Sequence, residues 1–392
     1  MSGKELDASA DLTEAERIRI AAKSALFNPP DRALPDGRRE LVGLLRAELA
    51  AELATVGEAP FRAKQLWHWI YHQGVTEFGR MSNIARGTQA ELAARFVIGR
   101  PQTANEHTSQ DLTRKFLFRF RDGQEVETVH IPEEDRGAVC LSSQVGCTLS
   151  CRFCHTGTQT LVRNLSAAEI VGQFMAVRDA YGEWPSPKSD TTRLLSNVVL
   201  MGMGEPLYNY ENVAKAVTIL MDGEGIGLSR RRITLSTSGV VPMMDRAGKE
   251  LGVNLAVSLH AVRDDLRSEL VPLNRKYPIA DLIGACRRYP GASNARRITF
   301  EYVMLRGIND TEADARELVR LIRGIPAKVN LIPFNPWPGS PYHTSTRKAI
   351  ERFASIVNEA GYASPVRVPR GRDIYAACGQ LRTESRRARP AA

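Results

Sequence analysis

Residues 138–154 read Ala138-Val139-Cys140-Leu141-Ser142-Ser143-Gln144-Val145-Gly146-Cys147-Thr148-Leu149-Ser150-Cys151-Arg152-Phe153-Cys154. The first six predict a strand, and Gly146 opens a loop carrying three cysteines spaced C-x3-C-x2-C. Three thiolates on one short loop can hold three corners of a cubane iron–sulfur cluster and leave its fourth iron without a protein ligand. Such a centre can pass an electron to a molecule bound at the open iron. Zinc is the rival. Structural zinc usually takes four protein ligands, and His155, directly beside Cys154, is poorly placed to share one tetrahedral ion with it. Cys140 or Cys378 could complete the set, so the residues alone leave zinc open.

Beyond this loop, strand-like and helix-like segments alternate. Strands are predicted at 138–143, 197–201, 232–237, 254–260, 298–304 and 329–334, with helical patterns at 167–179, 212–221, 312–322 and 347–360. Repeated strand–helix units pair their strands in parallel through right-handed crossovers. Six units fall short of the eight that close a full barrel. The expected fold is therefore α/β, an open partial (β/α)6 barrel.

Barrel enzymes gather ligands at the C-terminal ends of their strands. Val198-Val199-Leu200-Met201-Gly202-Met203-Gly204-Glu205-Pro206 is an apolar strand that ends so, in a glycine-rich turn. Glycine admits a ligand close to the backbone, and Glu205 can meet an amino group. Ser236 and Ser238 follow Ile233-Thr234-Leu235, Ser258 and His260 close Leu255-Ala256-Val257, and Asn335 follows Leu331-Ile332-Pro333-Phe334. Converging on one rim, these would make a site.

Upstream, Phe116, Phe118 and Phe120 alternate with Leu117, Arg119 and Arg121 before Asp122-Gly123, a hairpin signal. On the return strand Glu127 shares a face with Val129 and Ile131. Such a carboxylate finds a partner, has its pKa raised by desolvation and so could accept a proton near neutral pH, or meets water on an edge strand. From 38 to about 100 the pattern is helical, with Leu41, Leu44, Leu45 and Leu49 at spacings of three and four. Trp67, Trp69, Ile70 and Tyr71 sit among Arg62, Lys64, His68 and His72. That mixture suits stacking on RNA, but more often it is the core of a small helical domain. The expected organisation is a flexible N-terminal segment (1–37), a helical RNA-binding accessory domain (38–108), a β-hairpin extension (109–136), the partial barrel (137–382) and a basic tail (383–392).

Composition sets the outer bounds. Of 392 residues, 43% are apolar and 25% charged, ordinary for a globular protein. No apolar run reaches the ~18 residues of a membrane span, and the first twenty residues lack a secretory layout, so a cytoplasmic protein without a membrane is expected. The net charge of +9, with clusters at Arg230-Arg231-Arg232, Arg296-Arg297 and Arg386, Arg387 and Arg389, is compatible with a polyanionic partner. Many soluble proteins are equally basic without one. A cytosolic chain of this length needs no disulfide framework, so clustered cysteines point to metal or redox chemistry. Cys286, in an apolar helical stretch, reads as a buried free thiol. Cys378 lies among small residues in Arg370-Gly371-Arg372-Asp373-Ile374-Tyr375-Ala376-Ala377-Cys378-Gly379-Gln380, a segment suited to a mobile loop, or is a second buried thiol.

Taken together, these motifs resemble the RlmN/Cfr family of radical S-adenosylmethionine RNA adenine methyltransferases. The likeness is carried by the C-x3-C-x2-C loop with Phe153 before its last cysteine, by 140–147, by Gly202-Met203-Gly204-Glu205-Pro206, by Leu235-Ser236-Thr237-Ser238-Gly239, by Ile332-Pro333-Phe334-Asn335-Pro336-Trp337-Pro338-Gly339 and by Ala377-Cys378-Gly379-Gln380. The fold implied is a partial (β/α)6 radical-SAM barrel. The resemblance implies that Cys147, Cys151 and Cys154 hold one [4Fe-4S] cluster, and that Gly204, Glu205, Ser236, Ser258, Leu259, His260 and Asn335 bind S-adenosyl-L-methionine. It implies a methyl-carrying role for Cys378, a resolving thiol in Cys140 with a Cys140–Cys378 disulfide, and a proton acceptor in Glu127. The implied substrates are adenosine 2503 of 23S rRNA and adenosine 37 of tRNA, methylated at carbon 2. A flavodoxin-like electron donor and a monomeric state are expected with them. Methylation at carbon 8, the Cfr type, shares all these cysteines, and a zinc-stabilised RNA-binding protein without catalysis is the reading from another class. One departure is His155, where many relatives carry a small residue. It could hydrogen-bond near the cluster or do nothing beyond the surface.

Overall fold

The structure, a computed structural model, describes residues 27–134, 136–187 and 193–385. Most of the expected N-terminal segment and the arginines at 386, 387 and 389 lie outside the described residues. Residues 39–98 form the helical unit. It comprises α1 (Arg46–Ala54), α2 (Phe61–Trp67) running into a π-helical turn at His68–His72, and α3 (Arg86–Arg95). A short parallel pair, β1 (Arg39–Glu40) and β2 (Phe96–Val97), ties its ends. Trp67, Ile70 and Tyr71 are buried, with the two aromatic rings 4.5 Å apart. The aromatic cluster is therefore core. Arg46 grips Asp222 through Nε at 2.7 Å, and Trp67 Nε1 donates to the same carboxylate at 3.1 Å. These bonds fix the helical unit to the barrel.

A nine-stranded sheet carries the rest. Its first three strands are antiparallel: β3 (Gln102–Thr108), β4 (Arg114–Arg119) and β5 (Glu125–Glu133). The hairpin at Asp122-Gly123 is present. Strand β3 was not expected, since 38–108 reads as helical. Its sequence, Gln-Thr-Ala-Asn-Glu-His-Thr, is polar and mostly exposed, as an edge strand should be, and shows no apolar alternation.

Strand β5 then pairs with β6 (Arg136–Cys140). A short antiparallel pair, β7 (Gln144–Val145) and β8 (Arg163–Asn164), flanks the cysteine loop. From β6 the sheet continues in parallel through β9 (Asn197–Leu200), β10 (Ile233–Thr237), β11 (Asn254–Ser258), β12 (Ile298–Met304) and β13 (Ala327–Pro333), each beside its predecessor. These six parallel strands are the expected partial barrel.

The crossover helices are α4 (Ala167–Tyr181), α5 (Tyr210–Met221), α6 (Val241–Glu250), α7 (Asp264–Leu270), α8 (Ile279–Arg288) and α9 (Glu312–Ile322), and α10 (Arg347–Glu359) follows the last strand. Their starts follow local chemistry. Ser166 accepts from Glu169 N at 3.1 Å while the Glu169 carboxylate accepts from Ser166 N, a reciprocal cap that begins α4; Thr311 and Asp314 repeat it for α9. Cys286 on α8 is buried, as read. No helix among the described residues is long and apolar enough to cross a membrane.

Candidate active site

A cavity of about 160 Å³ lies at the C-terminal ends of the parallel strands. The cysteine loop forms one wall. Gly157 packs so closely that a Cβ there would come 2.4 Å from the Cys151 carbonyl oxygen, and Gly157 N donates to Cys154 O at 3.0 Å. The loop is tied to the glycine turn after β9 by one side chain. Gln144 Oε1 accepts from Glu205 N at 3.0 Å and from Thr148 Oγ1 at 2.9 Å. Gly204 has φ +102°, and a Cβ there would lie 2.6 Å from Gln144 Cβ, so only glycine fits.

The other strand ends supply polar groups. Glu205 is buried and accepts from Leu207 N at 3.1 Å and Ser238 N at 2.8 Å; burial outweighs these donors and pushes its carboxyl up to about 7. His260 holds a left-handed backbone, φ +60°, rare for a residue with a side chain and typical of functional sites. Its Nδ1 accepts from Val303 N at 3.1 Å, which leaves Nε2 as the proton-bearing nitrogen, and burial lowers its pKa to about 3, so the ring is neutral. Arg267 braces this rim from inside the protein. Its fully buried guanidinium donates to the carbonyls of Leu259 (3.0 Å), Ser238 (2.7 Å) and Ser258 (3.0 Å) and to Asn274 Oδ1 (2.9 Å).

Of the expected site residues, Cys147, Cys151, Cys154, Gly204, Glu205, Ser236, Ser258, His260, Asn335 and Cys378 line this one cavity. Leu259 is fully buried and does not line the cavity. Cys378 opens into the cavity, with its carbonyl oxygen accepting from Asn335 Nδ2 at 3.2 Å. Protein enclosing that space raises its thiol pKa. Cys140, at the end of β6, is a buried free thiol, its pKa raised by burial and then by charge on Cys378. Neither Cys140 nor Glu127 lines the cavity. Glu127 is not on an edge strand and does not meet water: Lys115 Nζ pairs with it at 2.7 Å and Arg382 N donates to Oε2 at 2.8 Å. Burial nevertheless raises its pKa. Both partner and shift are therefore present.

Sequence reasoning missed three residues here: Gln144, Arg267 and Glu301. Glu301 is the one acid within the apolar run Ile298–Met304, and that interruption was its only signal. His155 stacks on Trp337 and meets Gln380 O through Nδ1 at 3.3 Å.

The cysteine loop suits an iron–sulfur cluster. Its three thiols face one cavity, and burial raises all three pKa values, Cys147 to about 12. Such thiols ligate as thiolates only beside a strongly positive centre. Among the described residues no three His, Cys, Asp or Glu side chains are placed to hold a single metal ion. A cubane, which takes its thiolates at separate corners, matches that spacing better than tetrahedral zinc.

Comparison with known proteins agrees with this geometry. Residues 39–98 match the family described as ribosomal RNA large subunit methyltransferase N-terminal domain, and residues 141–321 match the radical SAM superfamily. The chain is 77% identical to a dual-specificity RNA methyltransferase RlmN of Acidiphilium cryptum, over 95% of this chain and 96% of that protein. It is 73% identical to the protein of the same description in Gluconobacter oxydans, over 98% and 95%. A crystal structure of a radical SAM methyltransferase from Sphaerobacter thermophilus superposes with a TM-score of 0.81 at 47% identity, covering 88% of this chain and 99% of that one.

Proposed function

Because the chain belongs to the RlmN family of radical SAM RNA methyltransferases, we propose that it methylates carbon 2 of adenine through a methyl group carried on Cys378. The observation that carries this reading is the placement of Cys378, which opens into the same cavity as Cys147, Cys151 and Cys154. Carbon 2 of adenine is electron-poor and cannot displace a methyl group from a sulfonium as an amine would, so a radical route is needed. A [4Fe-4S] cluster on the three loop cysteines would supply the electron for it.

Cys378 takes the methyl group of one S-adenosylmethionine, and hydrogen abstraction from that methyl, at the expense of a second, lets its carbon bond to adenine. Glu127 removes the proton from carbon 2. Cys140 attacks the Cys378 sulfur, releasing methylated RNA and leaving a Cys140–Cys378 disulfide that an external reductant must reopen. Asn335 holds the Cys378 backbone and the Glu127 carboxylate holds Arg382 N, so both ends of the reacting segment are fixed. Gly204, Glu205, Ser236, Ser258, Leu259, His260 and Asn335 bind S-adenosylmethionine. The substrates are 23S rRNA at adenosine 2503 and tRNA at adenosine 37, the electron donor is flavodoxin-like, and the enzyme acts in the cytoplasm as a monomer.

The test is anaerobic reconstitution with iron and sulfide, then incubation with S-adenosylmethionine, reductant and protein-free ribosomal RNA or tRNA. 2-Methyladenosine in the digest is expected, and 8-methyladenosine would overturn the regiochemistry. Cys378→Ala should load no methyl group. Cys140→Ala should load it and stall with RNA attached, and free methylated RNA at the normal rate would remove Cys140 from the mechanism.

A further inference from the structure

Strand β12 carries a carboxylate that none of these steps uses. Glu301 is buried, 6% exposed, yet its side chain lines the cavity that holds Cys378. In the parallel register it stands between Ser258 on β11 and Asn330 on β13, so the three side chains form one row across the strands. Asn330 Nδ2 donates to Glu301 Oε1 at 2.9 Å and sets its orientation. Asn335, just beyond the end of β13, holds the Cys378 carbonyl, and Cys378 lines the same cavity as Glu301.

We infer that Glu301 is the base that accepts the Cys378 thiol proton as the sulfur takes its methyl group, an inference that rests on Cys378 being the methyl carrier. The step balances. The Cys378 S–H bond breaks and its proton passes to the Glu301 carboxylate. The sulfur lone pair forms the S–CH3 bond while the sulfonium C–S bond breaks, and S-adenosylhomocysteine leaves as a neutral thioether.

Such a base is needed because the sulfur must lose its proton to become a thioether, and its surroundings raise the thiol pKa above the ordinary range. Glu301 is near enough for its charge to raise that thiol's pKa further, and burial places the carboxyl itself at about 7, where it can both accept and release a proton. The groups that face Glu301 are Cys378 and Arg367 from the C-terminal segment, Asn330 and Lys328 from β13, and the neutral His260 following β11. The other carboxylate lining the cavity, Glu205, is already held by two backbone N–H groups.

Glu301→Gln is isosteric and keeps an oxygen for Asn330. In holoenzyme without RNA, formation of S-methyl-Cys378, followed by mass spectrometry of its peptide, should slow by about 10²–10⁴-fold with S-adenosylmethionine affinity unchanged. Glu301→Asp should recover part of the rate. In the wild type the rate of methyl loading should rise as the Glu301 carboxyl ionises, and Glu301→Gln should lose that limb of the pH profile. A lost limb with unchanged S-adenosylmethionine affinity is a pairing that general damage to the site would not give. Methylation at the wild-type rate would overturn the inference. So would a fall in S-adenosylmethionine affinity that accounts for the whole loss, since Glu301 would then be a ligand for the nucleoside. Wild-type protein that never methylates Cys378 would overturn this inference and the proposed function together.

Discussion

His155 and Trp337 lie face to face, their ring centroids 4.7 Å apart and their planes 6° from parallel. The pair joins three segments. His155 N donates to Gly379 O at 2.7 Å, Trp337 Nε1 donates to Phe153 O at 3.0 Å, and Gln380 Nε2 donates to Pro336 O at 2.7 Å. The cysteine loop, the turn after β13 and the Cys378 segment are thereby held as one body. An aromatic pair contributes about 0.5–1.5 kcal/mol beyond its buried area. His155→Ala should therefore slow methyl loading of Cys378 by about threefold to tenfold, because the segment is less often in place. Iron content should stay at the wild-type level, since His155 is not among the cysteine ligands. His155→Phe, which restores the stack, should recover most of the rate. Loss of iron from both variants would mean that His155 supports the cluster instead.

The turn at Gly204 should tolerate no side chain. Gly204→Ala meets both a left-handed backbone, φ +102°, and the Gln144 side chain at 2.6 Å. Relief requires Gln144 to move, which breaks its bond to Glu205 N. At about 1–3 kcal/mol of strain, S-adenosylmethionine affinity should fall by roughly 5- to 150-fold, measured by equilibrium dialysis. Gln144→Gly made in the same chain should recover part of the loss, because it removes the Cβ and Cγ contacts while leaving the backbone strain and the close approach to the Gln144 backbone nitrogen. Additive losses would show that contact with Gln144 is not the cause.

The barrel was legible because each parallel strand is a short apolar run closed by glycine or a polar residue, as at Leu200-Met201-Gly202 and Val257-Ser258. Strand β3 was not legible, since an edge strand facing water needs no apolar alternation. The three loop cysteines announced themselves by spacing. Cys140, Glu127 and Cys378 did not: they are far apart in sequence, and only the family resemblance grouped them. Arg267 was illegible for another reason. Its position on α7 gives no hint that the side chain turns inward to serve carbonyls at the ends of β10 and β11.

That inward guanidinium should carry much of the rim's stability. Among the described bonds of Arg267 no carboxylate appears, and its charge is met by three carbonyls and the Asn274 amide oxygen. Arg267→Met would fill similar space but leave those acceptors buried without donors. Leaving a buried acceptor without its donor costs about 1–3 kcal/mol for each group that cannot relax, so the unfolding midpoint of the cluster-free protein in guanidinium chloride should drop accordingly. Arg267→Lys should recover less than half, because an ammonium cannot reach the same fork of acceptors. A Met variant as stable as wild type would show that water or relaxation satisfies the carbonyls.

Titration of Glu301 can be read from stability alone, without cluster, cosubstrate or RNA. Burial raises its folded-state pKa to about 7 from an ordinary 4.5. Below the lower value both folded and unfolded chains hold the proton, and the protonated carboxyl is fully compatible with its buried place. As pH rises, the unfolded chain ionises first, and the stabilising contribution disappears as pH passes through the folded value. The loss is about 3 kcal/mol as an order of magnitude. Glu301→Gln cannot ionise, so relative to wild type it should gain up to that amount between about pH 5 and pH 8, measured by denaturant unfolding of the cluster-free protein. Taking the difference between the two proteins cancels Glu205, which burial also places near 7 and which titrates in the same range in both. A pH-independent difference would mean that Glu301 is ionised throughout, and an ionised carboxylate would still accept the Cys378 proton, but with less tendency to keep it.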